Sequence, residues 1–425
     1  MVPTTREEKA FLVGVELYGA DSDTWKAEES LEELALLAQT ADVEVIGQTY
    51  QRLAKPYPGT FLGKGKVKEI GRLKEELHYD LVIVDYDLTP SQATNLEDEW
   101  DVRVVDRTGL ILDIFAQHAQ TAEGRLQVEL AQYEYLLPRL RGRWTHLSRQ
   151  AVGGVGLRGP GETQLEVDRR HIRDRIATLK RKLKDVHTHR ELYRTRRRRD
   201  GIPIISLVGY TNAGKSTLLN ALASAEVYVA DQLFATVDPT TRRVNLPGGR
   251  EVLFTDTVGF IQRLPTTLVA AFRATLEEIG DADVLVHVLD ISHPNAQEQA
   301  DTVRQVLEEL EVDEIPQIMA LNKVDMIGAG TAADVDALAG ELDIPNDHVA
   351  ISALKRWGLD TLLQQIETVL DRENVTLEIT IPYNRQDLVS LFRERGNITE
   401  EAYGEEGVHL SGRIPRRYVP QFEQL

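Results

Sequence analysis

Residues 209–216 read Gly-Tyr-Thr-Asn-Ala-Gly-Lys-Ser and directly follow an apolar run at 202–208. A glycine, four residues and then Gly-Lys-Ser is the pattern of a phosphate-binding loop. Glycine allows backbone angles at which successive N–H groups turn toward phosphate oxygens. Lys215 adds a positive charge near the β- and γ-phosphates, and the Ser216 hydroxyl can ligate Mg²⁺. The alternative is a chance glycine turn, but the flanking strand and helix patterns favour a phosphate site.

Asp256-Thr-Val-Gly259 follows a second apolar run, at a point where an open sheet presents its ligand site. Asp256 can hold Mg²⁺ through water, and the N–H of Gly259 can contact a γ-phosphate. This tetrapeptide alone is a weak signal, since an ordinary strand-end turn has the same composition.

Asn322-Lys-Val-Asp325 follows a third run and identifies the base. The Asp325 carboxylate can accept hydrogen bonds from guanine N1–H and the exocyclic amine, a donor pair that adenine lacks. Asn322 and Lys323 would brace the loop and cover the base, and Ser352-Ala353 could supply a backbone N–H to guanine O6. Because the motifs occur in this order at strand ends, we interpret them together as a guanine-nucleotide site.

The elements that must position these motifs are those of a mixed α/β protein. Alternating short apolar runs and amphipathic stretches predict an N-terminal parallel α/β subdomain (1–120). Helical stripes predict an antiparallel helical hairpin (121–200), with a glycine-rich tip at 152–161 carrying Arg149 and Arg158. A doubly wound sheet carries the phosphate loop (201–372), with strands predicted at 204–208, 251–256, 284–290, 317–322 and 349–352 and a hairpin turn at 247–249. A small αβ region follows (373–425), with strands predicted at 376–381 and 407–414.

Charge separates one of these segments from the rest. The chain has 425 residues and a formal net charge of −19, yet residues 139–200 contain 19 Lys and Arg against 7 Asp and Glu. A basic segment in an acidic protein is typical of nucleic-acid binding, with a solvated basic helix as the alternative. The acidic, lysine-poor composition suits a cytoplasm with high salt. The chain has no cysteine, transmembrane-length run or signal-peptide pattern, so we expect a cytoplasmic protein without membrane contact.

The ordered motifs resemble those of translation-factor-class GTPases. That resemblance implies that Thr236, in Phe234-Ala-Thr-Val-Asp238, reaches Mg²⁺ from the first switch. Phe260 stands where many such GTPases place a water-orienting glutamine, and a phenylalanine cannot orient water by hydrogen bonding. Phe260 could also be a core residue that shields the switch; either way we expect slow intrinsic hydrolysis accelerated by a partner. Asn212 fits GTPases in which this asparagine helps bind K⁺, or it simply braces the loop.

Residues 159–170, Gly-Pro-Gly-Glu-Thr-Gln-Leu-Glu-Val-Asp-Arg-Arg, resemble the HflX family, and segments 131–140, 231–236 and 256–260 agree. The resemblance implies a Mg²⁺-dependent GTPase that converts GTP to GDP, binds the large ribosomal subunit and its rRNA and, in some members, splits ribosomes; a K⁺ cofactor depends on which interpretation of Asn212 holds. We expect a monomer. Two alternatives remain at this point: a regulatory switch acting on a protein partner, and an RNA-remodelling nucleotidase acting through the N-terminal domain.

The residues predicted to act directly in hydrolysis are Lys215, Thr236 and Gly259. The predicted metal ligands are Ser216, Thr236 and Asp256 for Mg²⁺ and Asn212 for K⁺. The residues predicted to bind the nucleotide are Gly209, Tyr210, Thr211, Asn212, Ala213, Gly214, Lys215, Ser216, Thr217, Phe234, Ala235, Thr236, Val237, Asp238, Asp256, Thr257, Val258, Gly259, Asn322, Lys323, Val324, Asp325, Ser352, Ala353 and Leu354.

Overall fold

The computed structural model describes residues 8–18, 25–140, 164–199, 202–223, 233–234, 236, 239–263, 279–327, 340 and 348–423. The helices are α1 (Ala27–Thr40), α2 (Lys64–Leu77), α3 (Pro90–Trp100), α4 (Arg107–His118), α5 (Ala122–Arg139), α6 (Gln164–Arg199), α7 (Lys215–Leu222), α8 (Ala296–Glu309), α9 (Leu359–Glu373), α10 (Gln386–Arg395) and α11 (Val419–Phe422). The strands are β1 (Lys9–Leu17), β2 (Glu44–Leu53), β3 (Leu81–Val84), β4 (Arg103–Asp106), β5 (Ile204–Val208), β6 (Thr240–Asn245), β7 (Glu251–Asp256), β8 (Val284–Asp290), β9 (Gln317–Asn322), β10 (His348–Ala350), β11 (Asn374–Ile381), β12 (Asn397–Tyr403) and β13 (Val408–Pro415). None of the described helices combines the length and the apolar character needed to span a bilayer.

The contacts of the chain define two compact units. The first contains residues 1–183 together with 231–237 and 263–273, and the second contains the remainder. The division falls inside α6, whereas the sequence places domain limits at 120, 200 and 372. The four-domain division therefore stays a prediction.

The first unit is built on a parallel sheet with the strand order β2-β1-β3-β4. All four residues of β3 are buried, which matches its uninterrupted apolar sequence, because a parallel sheet is covered on both faces. Helix α3 begins with Pro90 after a Thr89–Gln92 capping box. This confirms the predicted N-terminal α/β subdomain.

A buried ionic group lies at the centre of this unit. The guanidinium of Arg107 donates to Asp85 at 2.7 Å and also bonds Glu33, and all three residues are buried. Ser30 donates to the second oxygen of Asp85. Breaking such a group strands charge in a low-dielectric interior, so we expect it to fix the packing of α1 and α4 on the sheet.

Helices α5 and α6 contact each other through ion pairs. Arg175 bonds Glu129 and Lys180 bonds Glu134. The two helices predicted for the hairpin are thus present and joined by their side chains, and the glycine-rich tip with Arg149 and Arg158 lies outside the described residues.

At least three cations among the described residues of the basic segment are already paired within the chain. Besides Arg175 and Lys180, Arg139 donates to Asp106 at 2.8 Å and to the carbonyl of Leu88. These side chains are less available to an external partner than the sequence count implies.

The second unit contains a six-stranded sheet with the order β10-β9-β8-β5-β7-β6. Its strands are parallel except for the antiparallel pair β6–β7, joined by the predicted turn at 247–249. The order reverses on the two sides of β5, and ligands of open α/β sheets bind outside the carboxyl ends of strands at such a point. The phosphate-loop sequence follows β5, which confirms the predicted doubly wound sheet.

The chain ends in an antiparallel sheet with the order β11-β13-β12. Its core contains Phe392 and Phe422, whose rings meet edge to face with centroids 5.5 Å apart. This agrees with the predicted αβ appendage and adds β12, which the sequence did not indicate.

Candidate functional site: a phosphate and guanine pocket at the strand ends

Two glycines of the phosphate loop are required by contact as well as by conformation. Gly209 has φ +149°, and a Cβ there would lie 2.3 Å from the carbonyl oxygen of Val288. Gly214 has φ +98°, and its Cβ would lie 2.2 Å from the side-chain nitrogen of Asn322. Both distances are below any real contact, so a side chain at either position would displace its neighbours. The loop is thus packed against the ends of β8 and β9, as a phosphate cradle at a switch point must be.

Lys215, the first residue of α7, is buried and lies inside the loop. Its ammonium donates to the carbonyls of Gly209 at 3.0 Å and Tyr210 at 2.8 Å. Burial lowers the pKa of Lys215 to about 8, and the nearby carboxylate of Asp256 opposes that shift. Phosphate oxygens would restore the stability of the charged form, so the ammonium is placed to respond to an anion.

Ser216 and Asp256 form an oxygen pair beside this lysine. The Ser216 hydroxyl donates to Asp256 Oδ2 at 2.6 Å, and Asp256 is the buried last residue of β7. A hydroxyl and a carboxylate oxygen are the ligands that Mg²⁺ accepts at nucleotide sites, usually with several waters retained. The two residues fit the metal that the sequence predicts.

Phe260 is joined to the phosphate loop by backbone hydrogen bonds. The amide of Phe260 donates to Gly209 at 3.1 Å, and the amide of Thr211 donates to Phe260 at 2.7 Å. The ring of Phe260 is buried. The structure therefore agrees with the interpretation of Phe260 as a core residue and leaves it no means of orienting a water.

Tyr210 extends this connection, because its hydroxyl accepts the amide of Gln262 at 2.8 Å. A Cβ at Gly259 would lie 2.7 Å from Thr211 Cα and 3.0 Å from Lys215 Nζ. Glycine is thus required at 259 for close approach to the loop. Asn212 is exposed with φ +60°, a left-handed conformation that asparagine tolerates.

Asn322 connects the phosphate loop to the base-recognition segments. Its buried side chain donates to the carbonyl of Ala213 at 2.8 Å and accepts the amide of Ala353 at 3.0 Å. Both capacities of the amide are used in bracing, as the sequence predicts for this residue. One side chain therefore fixes the relative position of three motifs.

The guanine-selecting carboxylate lies three residues further on. Asp325 is half-buried in the turn after β9, and among the described residues no protein group hydrogen-bonds its carboxylate. It is thus available to a ligand. Lys323 has φ +65°, and its ammonium pairs with Asp290 Oδ2 at 2.8 Å.

The backbone amides of Ser352 and Ala353, one of which the sequence predicts to face guanine O6, both donate within the protein. The Ala353 amide donates to Asn322 Oδ1. The Ser352 backbone pairs with Trp357 in a short hairpin, and its hydroxyl accepts the amide of Lys355 at 3.0 Å. The next amide, that of exposed Leu354, is the remaining candidate donor to O6.

The first-switch residues are described only in part. Phe234 is buried in the first unit, where its ring meets Phe115 edge to face with centroids 4.7 Å apart. Thr236 is half-buried, and its predicted role at Mg²⁺ is not tested. Ala235, Val237 and Asp238 lie outside the described residues.

Two buried polar residues near these motifs escaped sequence reasoning. Asp290 is the last residue of β8 and has no motif around it; its only signal is an acid at the end of an apolar run. His287 lies within β8, and burial first, then the charges of Arg304 and Lys215, lowers its pKa to about 3. Its Nε2 has no hydrogen-bond partner among the described residues, so it is a neutral histidine held in the core.

Family models match three successive parts of the chain. They are described as "GTP-binding GTPase N-terminal" for residues 28–116, "GTP-binding GTPase Middle Region" for 118–197 and "50S ribosome-binding GTPase" for 204–323. The last covers the phosphate loop and Asn322.

Curated relatives resemble almost the whole chain. A protein named GTPase HflX from Caldanaerobacter subterraneus subsp. tengcongensis is 46% identical over 96% of this chain and 91% of its own. The GTPase HflX of Escherichia coli strain K12 is 44% identical over 96% of this chain and 94% of its own. Among solved structures, a GTP-binding protein from Sulfolobus solfataricus in complex with GDP is 25% identical, covers 86% of this chain and 99% of its own, and has a TM-score of 0.45.

Proposed function

Because the chain belongs to the HflX family of GTPases, we propose that it binds the large ribosomal subunit while holding GTP and leaves after hydrolysis. The observation that carries the proposal is the continuous bracing of phosphate loop, guanine segment and Asp256–Phe260 segment. Such a site can report which nucleotide it holds, since a γ-phosphate adds contacts that hydrolysis removes. With a ribosome as its partner, we expect the protein to act in the cytoplasm and as a monomer.

Within this function the predicted residues have separate roles. Lys215 neutralises the β- and γ-phosphates, and Gly259 contacts the γ-phosphate through its N–H. Mg²⁺ would be held by Ser216, by Asp256 through water and by Thr236 from the first switch. The metal would supply charge neutralisation between the phosphates.

Base selection is proposed for Asp325. Asn has an N–H donor where Asp has a second acceptor, and xanthine has a carbonyl where guanine has an amine. Asp325→Asn should therefore transfer the nucleotide preference from GTP to XTP, because a site built to hydrogen-bond one edge rejects the other. If Asp325→Asn still prefers GTP to XTP in a competition binding experiment, this role is contradicted.

Hydrolysis is proposed to depend on the ribosome and on K⁺. The burial of Phe260 removes the usual side chain for orienting water, so another group must supply this function. Asn212 is exposed at the loop, where a K⁺ could add transition-state charge. GTP hydrolysis measured with and without purified large subunits, in KCl and in NaCl, tests both dependences at once.

The coupling between nucleotide and ribosome has its own experiment. Lys215→Ala and Asp325→Asn should abolish GTP-dependent cosedimentation with large subunits, because neither variant can be filled with GTP. The control is Asp301→Asn, which removes a carboxylate from an exposed pair with Arg304. GTP-dependent pelleting retained by both site variants would exclude the coupling.

Ribosomal RNA is the proposed contact of the basic segment. Replacing the arginines at 196–199 by glutamine should weaken binding and its salt dependence, with nucleotide affinity unchanged. The control is a variant with the same change in net charge, in which Arg385, Arg393, Arg395 and Arg413 of the C-terminal region are replaced by glutamine. Crosslinks from residues 139–200 to protein rather than to rRNA would favour the alternative of a protein partner.

Ribosome splitting has a separate test. A fall in the light scattering of 70S ribosomes when the GTP-bound protein is added would support splitting.

A further inference from the structure

We propose that Asp290 is a positioning residue for the guanine nucleotide: it holds Lys323 in place through an ion pair before the nucleotide binds. The inference rests on the guanine site assigned to residues 322–325. Lys323 belongs to that segment, whereas Asp290 lies on the neighbouring strand and belongs to no motif.

The ion pair is connected to the site through the sheet. Asp290 and Asn322 are register partners in the β8–β9 pair, and the amide of Ile291 donates to the Asn322 carbonyl at 3.2 Å. Lys323 follows Asn322 with a left-handed backbone, and its ammonium is 2.8 Å from Asp290 Oδ2. The lysine is therefore fixed at both ends, by the strand at its backbone and by Asp290 at its charge.

Asp290 is itself fixed by Ser292. Its second oxygen, Oδ1, accepts the Ser292 hydroxyl at 2.6 Å and the Ser292 amide at 3.1 Å. These bonds set the rotamer of a residue that is nearly buried. The carboxylate thus has one oxygen committed to its own turn and one aimed at the lysine.

Preorganisation explains why this arrangement favours binding. A free lysine side chain samples many rotamers, and ordering it on binding costs conformational entropy. Asp290 makes that restriction a property of the folded protein, so the nucleotide need not impose it. A carboxylate near a polyanionic ligand is by itself unfavourable, so its benefit must come through Lys323.

The direct and the indirect effect of Asp290 on nucleotide binding have opposite signs, which makes the inference testable. Asp290→Asn removes a negative charge, and general electrostatics would then predict tighter binding of GDP. Loss of lysine positioning predicts the opposite, a dissociation rate of mant-GDP raised about tenfold. Ser292→Ala, which releases the carboxylate but keeps its charge, should raise the rate about twofold to threefold.

A double-mutant cycle separates positioning from general destabilisation. Lys323→Met should raise the mant-GDP dissociation rate about as much as Asp290→Asn, and the double variant should stay within about twofold of Lys323→Met. Asp301→Asn is the control and should leave the rate unchanged. Where Asp290→Asn fails to fold, the cycle of Ser292→Ala with Lys323→Met replaces it.

The outcomes that overturn the inference are distinct from those that overturn the site. A rate unchanged in Asp290→Asn but raised in Lys323→Met excludes the positioning role and retains the guanine site. Effects of Asp290→Asn and Lys323→Met that multiply in the double variant also exclude it. Rates unchanged in Lys323→Met and in Asp325→Asn would remove the guanine site and this inference together.

Discussion

Two glycines with similar backbone angles allow the cost of packing at the phosphate loop to be measured separately from the cost of conformation. Gly214 has φ +98° and Gly249, in the turn between β6 and β7, has φ +83°. An alanine in this left-handed region costs roughly 1–2 kcal/mol at either position. Only at Gly214 does the added Cβ meet a neighbour, Asn322 Nδ2 at 2.2 Å; at Gly249 nothing lies within 4 Å.

The additional cost follows from what the displaced Asn322 side chain must give up. Its Nδ2 donates to the buried carbonyl of Ala213 at 2.8 Å. Leaving that pair unsatisfied costs about 1–3 kcal/mol. Gly214→Ala should therefore destabilise the protein by about 1–3 kcal/mol more than Gly249→Ala. It should also weaken mant-GDP binding more than tenfold, because Asn322 braces the loop, whereas Gly249→Ala should bind normally.

Thermal or urea unfolding of nucleotide-free protein, with mant-GDP titration in parallel, measures both effects. In an Asn322→Ala background the clashing atom is gone, so Gly214→Ala should cost no more than Gly249→Ala. Equal destabilisation by the two glycine variants in the wild-type background would refute the packing argument. So would an undiminished extra cost when Asn322 is truncated.

Three further predictions concern buried charge. The pKa of His287 is lowered from 6.5 to about 3 in the folded protein, so between these two pH values the unfolded chain binds one proton more than the folded chain. The free energy of unfolding should therefore not change through this group above pH 6.5 and should fall below it by up to about 1.4 kcal/mol per pH unit. His287→Met should remove this contribution to the pH dependence in urea titrations at about pH 5–7. The pKa of Lys215 is lowered to about 8, so its ammonium should lose a proton above pH 8 and take one up again when phosphate binds. The affinity for mant-GDP should therefore fall above pH 8, by up to about tenfold per pH unit. Lys215→Arg should lose this pH dependence because its guanidinium stays charged. Arg107→Met removes the nearest cation from the buried carboxylates of Asp85 and Glu33, leaving Asp85 only the guanidinium of Arg263 at 3.9 Å, and should cost about 3–5 kcal/mol in thermal unfolding. Arg52→Met, which breaks a more exposed pair, should cost under about 1 kcal/mol.

The sequence predicts the strands of the nucleotide-binding sheet well because each chemical motif ends an apolar run. The predicted bounds of β5, β7, β8 and β9 coincide with those observed. A fully buried parallel strand has no polar face to blur its limits, and the polar motif marks its carboxyl end. The candidate site residues at these strand ends can therefore be proposed from the sequence as a set.

Elements without such a contrast were missed. Helix α4 buries residues on most of its circumference, among them Arg107 and Leu110, so its sequence has no amphipathic stripe. Strand β6 is an edge strand in which five of the six residues are polar and only Val244 is buried, so it lacks the alternation of a half-buried strand. The ion pairs between α5 and α6 join side chains 46 residues apart, and local periodicity contains no signal for such contacts.

The same distinction applies inside the site. A motif predicts which groups meet the ligand, but the bonds that hold those groups run between motifs and follow from the tertiary fold. Asn322 reaches Ala213 and Ala353, and Lys323 reaches Asp290. Because Asn322 joins the phosphate loop to the loop after β10, damage at either end of the nucleotide is transmitted to the other. Phosphate and base affinities should therefore fall together in Asn322 variants, while Asp290 variants, which reach the site only through Lys323, should leave the phosphate loop intact.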